Sequence, residues 1–169
     1  SLLGATDAVV AADLEWMVLP ASELPASLAG FSIRREATLD NATMAAHGFP
    51  GQTVVTIEEV GRITGYVREM TPGATMTPLG VGDIVTVGTV AHLFTTGDGV
   101  KRWIQEVFLD GFLASVGQIK GDGYEVVDVE ELQIEGFHGK AASLFVVHRV
   151  MNGMLGSTII DFQVGRLLG

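Results

Sequence analysis

Four histidines, His47, His92, His138 and His148, together with the strand-like stretch "GRITGYVREM" at residues 61–70, hold most of the side chains here that are capable of chemistry. A histidine serves as a general base when a carboxylate orients it and a substrate proton lies within hydrogen-bond reach. It serves zinc when further ligands converge on it at tetrahedral geometry. No HExxH and no close histidine–carboxylate spacing occurs, so a metal has no motif here. His92 and His148 both fall in apolar stretches that read as strands. Alternation groups His148 with Leu144, Val146 and Val150, and the hairpin register described below sets it opposite Ser157. Buried polar groups demand partners, so a hydrogen-bonded structural histidine is the favoured reading of both. The alternative is a hydrolase-type enzyme with His92 or His148 as base and Asp161 as its orienter. That register puts Asp161 opposite Leu144, too far along the sheet for direct contact with His148.

Read with strict alternation, residues 61–70 place Arg62, Thr64, Tyr66 and Arg68 on one strand face and Ile63, Gly65 and Val67 on the other. Arginine forks suit carboxylates and phosphates, and a tyrosine adds a donor, so Arg62, Tyr66 and Arg68 form a candidate anion-binding face. The plainer role is cross-strand pairing with the abundant Asp and Glu, and it is the favoured one. Gly65, on the core side, reads as a bulge or as a close approach by the long helix. The candidate ligand-binding set is therefore Arg62, Tyr66, Arg68, His92 and His148, with no catalytic and no metal residue assigned. Serine supplies no nucleophile elbow, since GxSxG is absent and Ser115 lies near a helix end. "GDGVKR" and "GDGYEV" do not continue as GxGxxG or as a P-loop, so no cofactor is implied. The carboxylates of "EVVDVEELQIE" lack calcium-loop spacing and read as a solvated edge strand.

These side chains sit in a chain of 169 residues with a formal charge of −10, 47% hydrophobic content, 22 glycines and no cysteine. That length fits a single domain, residues 1–169, with a core that needs no covalent staple. The missing cysteines exclude disulfides, thiolate metal sites and cysteine nucleophiles. The acidic balance excludes a nucleic-acid partner, which requires clustered Lys and Arg. No run reaches the roughly 18 apolar residues of a membrane span. Ser1–Val10 carry no initiator methionine, as expected of a chain trimmed of an export signal or lipid anchor, or of an internal domain boundary. "FQVGRLLG" reads as a strand cut in its middle. The apolar excess points to surface that meets something besides its own core: a partner subunit, a ligand or both.

The elements that must hold these residues follow from periodicity. "DLEWMVLPASELPASL" (13–28) reads as a short strand or helical turn and then a loop. "GFSIRREATL" (30–39) reads as a strand with Phe31 and Ile33 inward and Arg34 toward solvent. "DNATMAAHGF" (40–49) reads as a helix capped by Asp40 or Asn41 and ended by Gly48. "TVVTIEEVG" adds a helical turn or two, and "TPGATMTPLGVGD" is a loop. "IVTVGTVAHLF" (84–94) is apolar on both faces, as a strand covered on both sides is. The clearest helix is 98–116, whose stripe is Val100, Trp103, Ile104, Val107, Phe108, Gly111 and Val116, with Asp98 as N-cap and Gly117 as the terminal glycine. "YEVVDVEELQIEG" (124–136) changes apolar parity near Glu130. "ASLFVVHRVM" and "LGSTIIDFQVG" flank Asn152-Gly153, a two-residue hairpin turn that pairs Phe145 with Ile160 and Val147 with Thr158, Phe162 joining the same apolar face. The fold class is α+β: a mostly antiparallel sheet with one long helix and short helices packed on it.

The "LPASELP" segment, the "GRITGYVREM" strand, "AHLF" running straight into the long helix, and the final hairpin ending in "FQVGRLLG" together resemble a diffuse family of exported bacterial α+β domains. That family comprises actinobacterial lipoproteins, extracytoplasmic sensor domains of serine/threonine kinases and, more remotely, PsbP-like proteins. The resemblance implies a helix-flanked antiparallel sheet, a location outside the cytoplasm, secreted or lipid-anchored, and binding rather than chemistry. The sensor domains carry cysteine pairs that this chain lacks, and no functional residue transfers. The reading is a non-catalytic exported domain that binds a small or apolar ligand or a protein partner. Its alternatives are the histidine-based hydrolase and an oligomer-forming structural module, and a homodimer is expected.

Overall fold

The structure, a computed structural model, describes residues 4, 6–74, 80, 82–136, 140–151 and 153–169. His138, Asn152 and much of the loop expected after residue 70 lie outside the described residues. Three 3-10 turns, Ala11–Trp16, Ala21–Glu23 and Ala26–Leu28, open the described chain, where a strand or helical turn and a loop were expected. Pro20 and Pro25, each just before a turn, fix φ near the value the turn needs. Next come β1 (Phe31–Leu39), α1 (Asn41–His47), α2 (Val54–Glu59), β2 (Arg62–Pro72) and β3 (Val87–Phe94). A helical run, α3 (97–114), leads to β4 (Glu125–Leu132), β5 (Ala141–Val150), β6 (Gly153–Val164) and β7 (Leu167–Leu168).

The strands form one antiparallel sheet in the order β1-β2-β3-β7-β6-β5-β4. The fold is α+β. The sequence reading took "FQVGRLLG" as one strand, but Gly165 (φ +60°) and Arg166 turn the chain there. Leu167–Leu168 then slot between β6 and β3 and join the two halves of the sheet. Val150 pairs with Gly153, so the hairpin closes one residue earlier than expected. Phe145 consequently faces Thr158, Val147 faces Gly156, and His148 faces Leu155 rather than Ser157. Moving the turn by one position shifts the pairing by two residues, which preserves face parity, so Phe145, Ile160 and Phe162 still share a side. The irregularity expected in β4 near Glu130 lies between Val126 and Asp128. In β1, Phe31 is buried but Ile33 is exposed, because Ile33 sits at a register break.

One sheet face is packed by α3, which consists of Gly97–Arg102, a π-helical segment Trp103–Leu109 and Asp110–Ala114. Its buried residues Val100, Ile104, Phe108 and Phe112 recur every fourth position, with Trp103 beside them. In an ideal α-helix a step of four residues overshoots one turn by about 40°, so this stripe would drift around the helix. The wider π-turn cancels that drift and keeps the stripe on Val126, Ala142, Leu144, Val146 and Leu168 of the sheet. Thr96, not Asp98, caps the helix by accepting from the Gly99 N–H at 3.2 Å. Val116 lies past the helix end and is exposed, and Gly117 takes φ +82° there. Gly111 leaves room for the Phe49 ring, whose nearest carbon would lie 2.9 Å from an added Cβ.

The opposite face is covered over half its width. The N-terminal strap, residues 6–29, seats Leu14 and Val18 on Ala91 and Leu93, with Tyr66 and Leu167 alongside. Beyond β7, this face of β6 and β5 is bare among the described residues.

Candidate functional site

The sequence-derived residues fall into separate places. Arg62, expected beside Tyr66 and Arg68, is on the other side of the sheet. The register breaks between Arg62 and Thr64, and one extra residue reverses parity. Its guanidinium is buried under α1 and α3: Nε donates to His92 Nδ1 at 3.0 Å and Nη2 to the Leu39 carbonyl at 2.7 Å. Nη1 donates to Asn41 Oδ1, and Asn41 Nδ2 returns a bond to the Arg62 carbonyl at 3.1 Å. Asp40 is the cap of α1, accepting from the Thr43 N–H at 2.7 Å, which leaves Asn41 to turn inward. The Trp103 ring closes the cluster, its centroid 5.9 Å from the guanidinium and 5.7 Å from the His92 ring. Gly65 is required here, as expected, but by Arg62 and His92 rather than by the helix. An added Cβ would lie 2.7 Å from Arg62 Nη2 and 2.9 Å from His92 Nδ1.

This cluster is a sealed tie between β1, β2, β3, α1 and α3. Burial pushes the Arg62 pKa down to about 10, against the pull of the Asp40 charge. Burial, reinforced by the Arg62 charge, holds His92 well below its ordinary range. Accepting at Nδ1 makes His92 the neutral Nε2–H tautomer. A base at this position would have to become an imidazolium against a buried guanidinium, and its Nδ1 lone pair is already taken.

Tyr66 and Arg68 serve the strap. Tyr66 packs against the cluster formed by Leu14 and Val18. Arg68 donates Nη1 to the Val18 and Leu19 carbonyls, both at 3.2 Å, and Nη2 to the Glu15 carbonyl at 3.4 Å, while Nε pairs with Glu36. Arg166, which the sequence reading passed over, holds the strap's other end. Its side chain donates to the carbonyls of Thr6 (3.0 Å), Asp7 (3.1 Å), Val9 (2.6 Å) and Phe94 (3.0 Å). No sequence motif marks such a residue, because backbone carbonyls leave no side-chain pattern.

His148 lies elsewhere, buried between Val126 and Leu155, with neither ring nitrogen hydrogen-bonded among the described residues. Burial and the Lys120 charge lower its pKa, against the pull of Asp122. Asp161 pairs with Ala142, six residues along β5 from His148, which is about 20 Å of strand. The imagined dyad is not assembled. Asp161 is a half-buried carboxylate with no hydrogen bond or ion pair among the described residues, and burial pushes its pKa up to about 7. No cluster of three His, Asp or Glu suited to a metal occurs among the described residues.

A shallow open groove of about 340 Å³ lies between the loop after α1, α2 and α3, lined by Phe49, Gln52, Glu59, Arg102, Glu106 and Val107. Its arginine is already engaged. Arg102 forms a two-pronged pair with Glu106, both contacts at 3.0 Å, and donates to the Glu59 carbonyl at 3.0 Å. The bare part of the strap face differs in character. Phe145, Ile160 and Val164 are 37, 40 and 40% exposed on it. The Phe145 ring lies over Gly156, where an added Cβ would meet it at 2.7 Å, so the face is flat there. No helix among the described residues is long and apolar enough to cross a membrane.

No family model matches the chain, and no curated protein matches it. Among solved structures, the chain is similar to the extracellular domain of PknH from Mycobacterium tuberculosis, with a TM-score of 0.58 over 95% of this chain and 84% of that one. At 10% identity, what the two chains share is the fold.

Proposed function

We propose that residues 1–169 form one non-catalytic, exported domain that works by binding a polypeptide partner through the bare half of its strap face. The observation that carries this reading is the apolar, flat and open surface at Phe145, Ile160 and Val164, next to a half that a strap of the same chain already covers. Contiguous exposed apolar surface of this kind marks interaction sites. The side chains suited to catalysis favour the same reading. Arg62, Arg68 and His92 are committed to internal hydrogen bonds, and His148 has no carboxylate orienter. The fold shared with an extracellular domain supports a location outside the cytoplasm. The groove beside α3 fits a small ligand less well, since it is shallow and its arginine is already paired with Glu106.

The test separates binding from turnover. Wild type, His92→Ala and His148→Ala are assayed against chromogenic ester, amide and phosphate substrates. The expected result is no hydrolysis that depends on either histidine. Turnover lost in His148→Ala alone, with the fold intact by circular dichroism, overturns the reading.

A further inference from the structure

We propose that the bare half of the strap face docks a partner segment that alternates aliphatic or aromatic side chains with lysine or arginine. This rests on the binding reading above and names the class of partner.

The strap shows what this face accepts. It lays an extended segment with short 3-10 turns across β2, β3 and β7, seating two aliphatic side chains, Leu14 and Val18, on Ala91 and Leu93. Leu167, under the strap, pairs directly with Val164, outside it, so the covered and bare halves form one continuous surface. On the bare half Phe145, Ile160 and Val164 offer seats for further apolar side chains of the same kind.

Charge sets the rest of the partner. Along the margin of this surface, β4 pairs Asp128 with Val147 and Glu130 with Phe145, and residues paired across strands share a face. Both carboxylates are exposed, and neither has an ion pair among the described residues. The basic side chain at this end, Arg149, is already bound to Glu125 at 2.8 Å. On the covered half the polarity is reversed: arginines of the sheet, Arg68 and Arg166, donate to strap carbonyls. The bare half supplies acceptors instead of donors, so its occupant must bring the cations. A second copy of this chain brings a formal charge of −10 to this margin, where Arg149 is already paired with Glu125.

The probe is a labelled peptide of about ten residues alternating leucine and lysine, long enough to follow β6 across the bare face. Matched serine–lysine and leucine–glutamate peptides are the controls, and binding is read by fluorescence anisotropy. The leucine–lysine peptide is expected to bind about tenfold more tightly than the serine–lysine peptide, and the leucine–glutamate peptide not to bind. Ile160→Asp removes an apolar seat and Glu130→Lys reverses the margin, and each is expected to weaken binding about fivefold or more. Both positions are exposed, and unfolding midpoints establish that each variant is folded. Should Ile160→Asp fail to fold, Glu130→Lys decides alone. Equal affinity for the two lysine peptides, or undiminished binding by both variants, overturns the proposal. So does a dimer by light scattering that Ile160→Asp dissolves, which assigns the face to a second copy. Histidine-dependent turnover would sink the binding reading itself, and none of these peptide outcomes mimics it.

Discussion

Replacing Asp161 by Asn is expected to stabilise this protein at neutral and alkaline pH, and the sign follows from where the carboxyl sits. Asp161 points into the helix-covered side of β6 with no donor among the described residues to receive its charge, and burial pushes its pKa from 3.8 up to about 7. The unfolded chain ionises this group above about pH 4, whereas the folded chain resists until about pH 7. Between those limits the folded state holds the extra proton, so stability falls as pH rises. Roughly three pH units at about 1.4 kcal/mol each set a ceiling near 4 kcal/mol. The side chain is only half-buried, and discounting for water contact leaves about 2 kcal/mol. Asn keeps the shape and removes the charge. Urea unfolding of both proteins at pH 4, 6 and 8 is the assay. Equal stability is expected at pH 4, with the variant ahead by about 2 kcal/mol at pH 8. A variant no more stable at pH 8, or one equally favoured at pH 4, would refute the placement of Asp161 in a half-buried position with no cation beside it among the described residues.

The remaining expectations concern the core and the buried histidines. Gly65→Ala should cost about 1–3 kcal/mol, because its Cβ needs the space of Arg62 Nη2 and His92 Nδ1; a neutral effect in urea unfolding would mean the tie is not sealed. Trp103→Ala should cost about 3–5 kcal/mol, since the ring is 4% exposed and touches Phe94, His92 and Arg62; a loss under about 1 kcal/mol would detach α3 from the sheet. His92 and His148 both have folded-state pKa values below 6.5, so the stability they contribute is present above about pH 6.5 and lost as pH falls further. In the Asp161→Asn background, where the opposing slope is gone, unfolding below about pH 6.5 should take up protons, read from the pH dependence of the urea midpoint. Adding His148→Leu should reduce that uptake, and an unchanged uptake would contradict the burial of that ring.

Legibility in the sequence tracked periodicity. The α3 stripe was readable because its apolar residues recur at helical spacing, and β3 because both its faces are apolar. The π-turn was not, since a four-residue spacing suits either helix type until the sheet beneath fixes the line. The β7 strand was hidden because two leucines after Gly165-Arg166 continue the apolar pattern of β6 without a break. Arg62 was assigned to the wrong face because a bulge leaves no composition signal, and strict alternation cannot register one inserted residue. That Phe145, Ile160 and Phe162 share one apolar face was legible although the turn was misplaced, since a two-residue shift keeps parity; that this face lies open was not. The helix cap was read two residues late, at Asp98, although Thr96 is also a good capping residue.

The two leucines of β7 also constrain how the chain can be made. Strands β1, β2 and β3 adjoin in sequence and can pair as soon as they leave the ribosome, yet among the described residues the outer edge of β3 is matched by residues 166–168. Throughout the synthesis of some seventy intervening residues that edge offers unpaired peptide groups to any neighbouring chain. Nascent protein should therefore be most prone to misassociate until that segment has emerged, and a holdase or a slowly emerging β5–β6 hairpin would change the yield of folded product without altering the finished molecule.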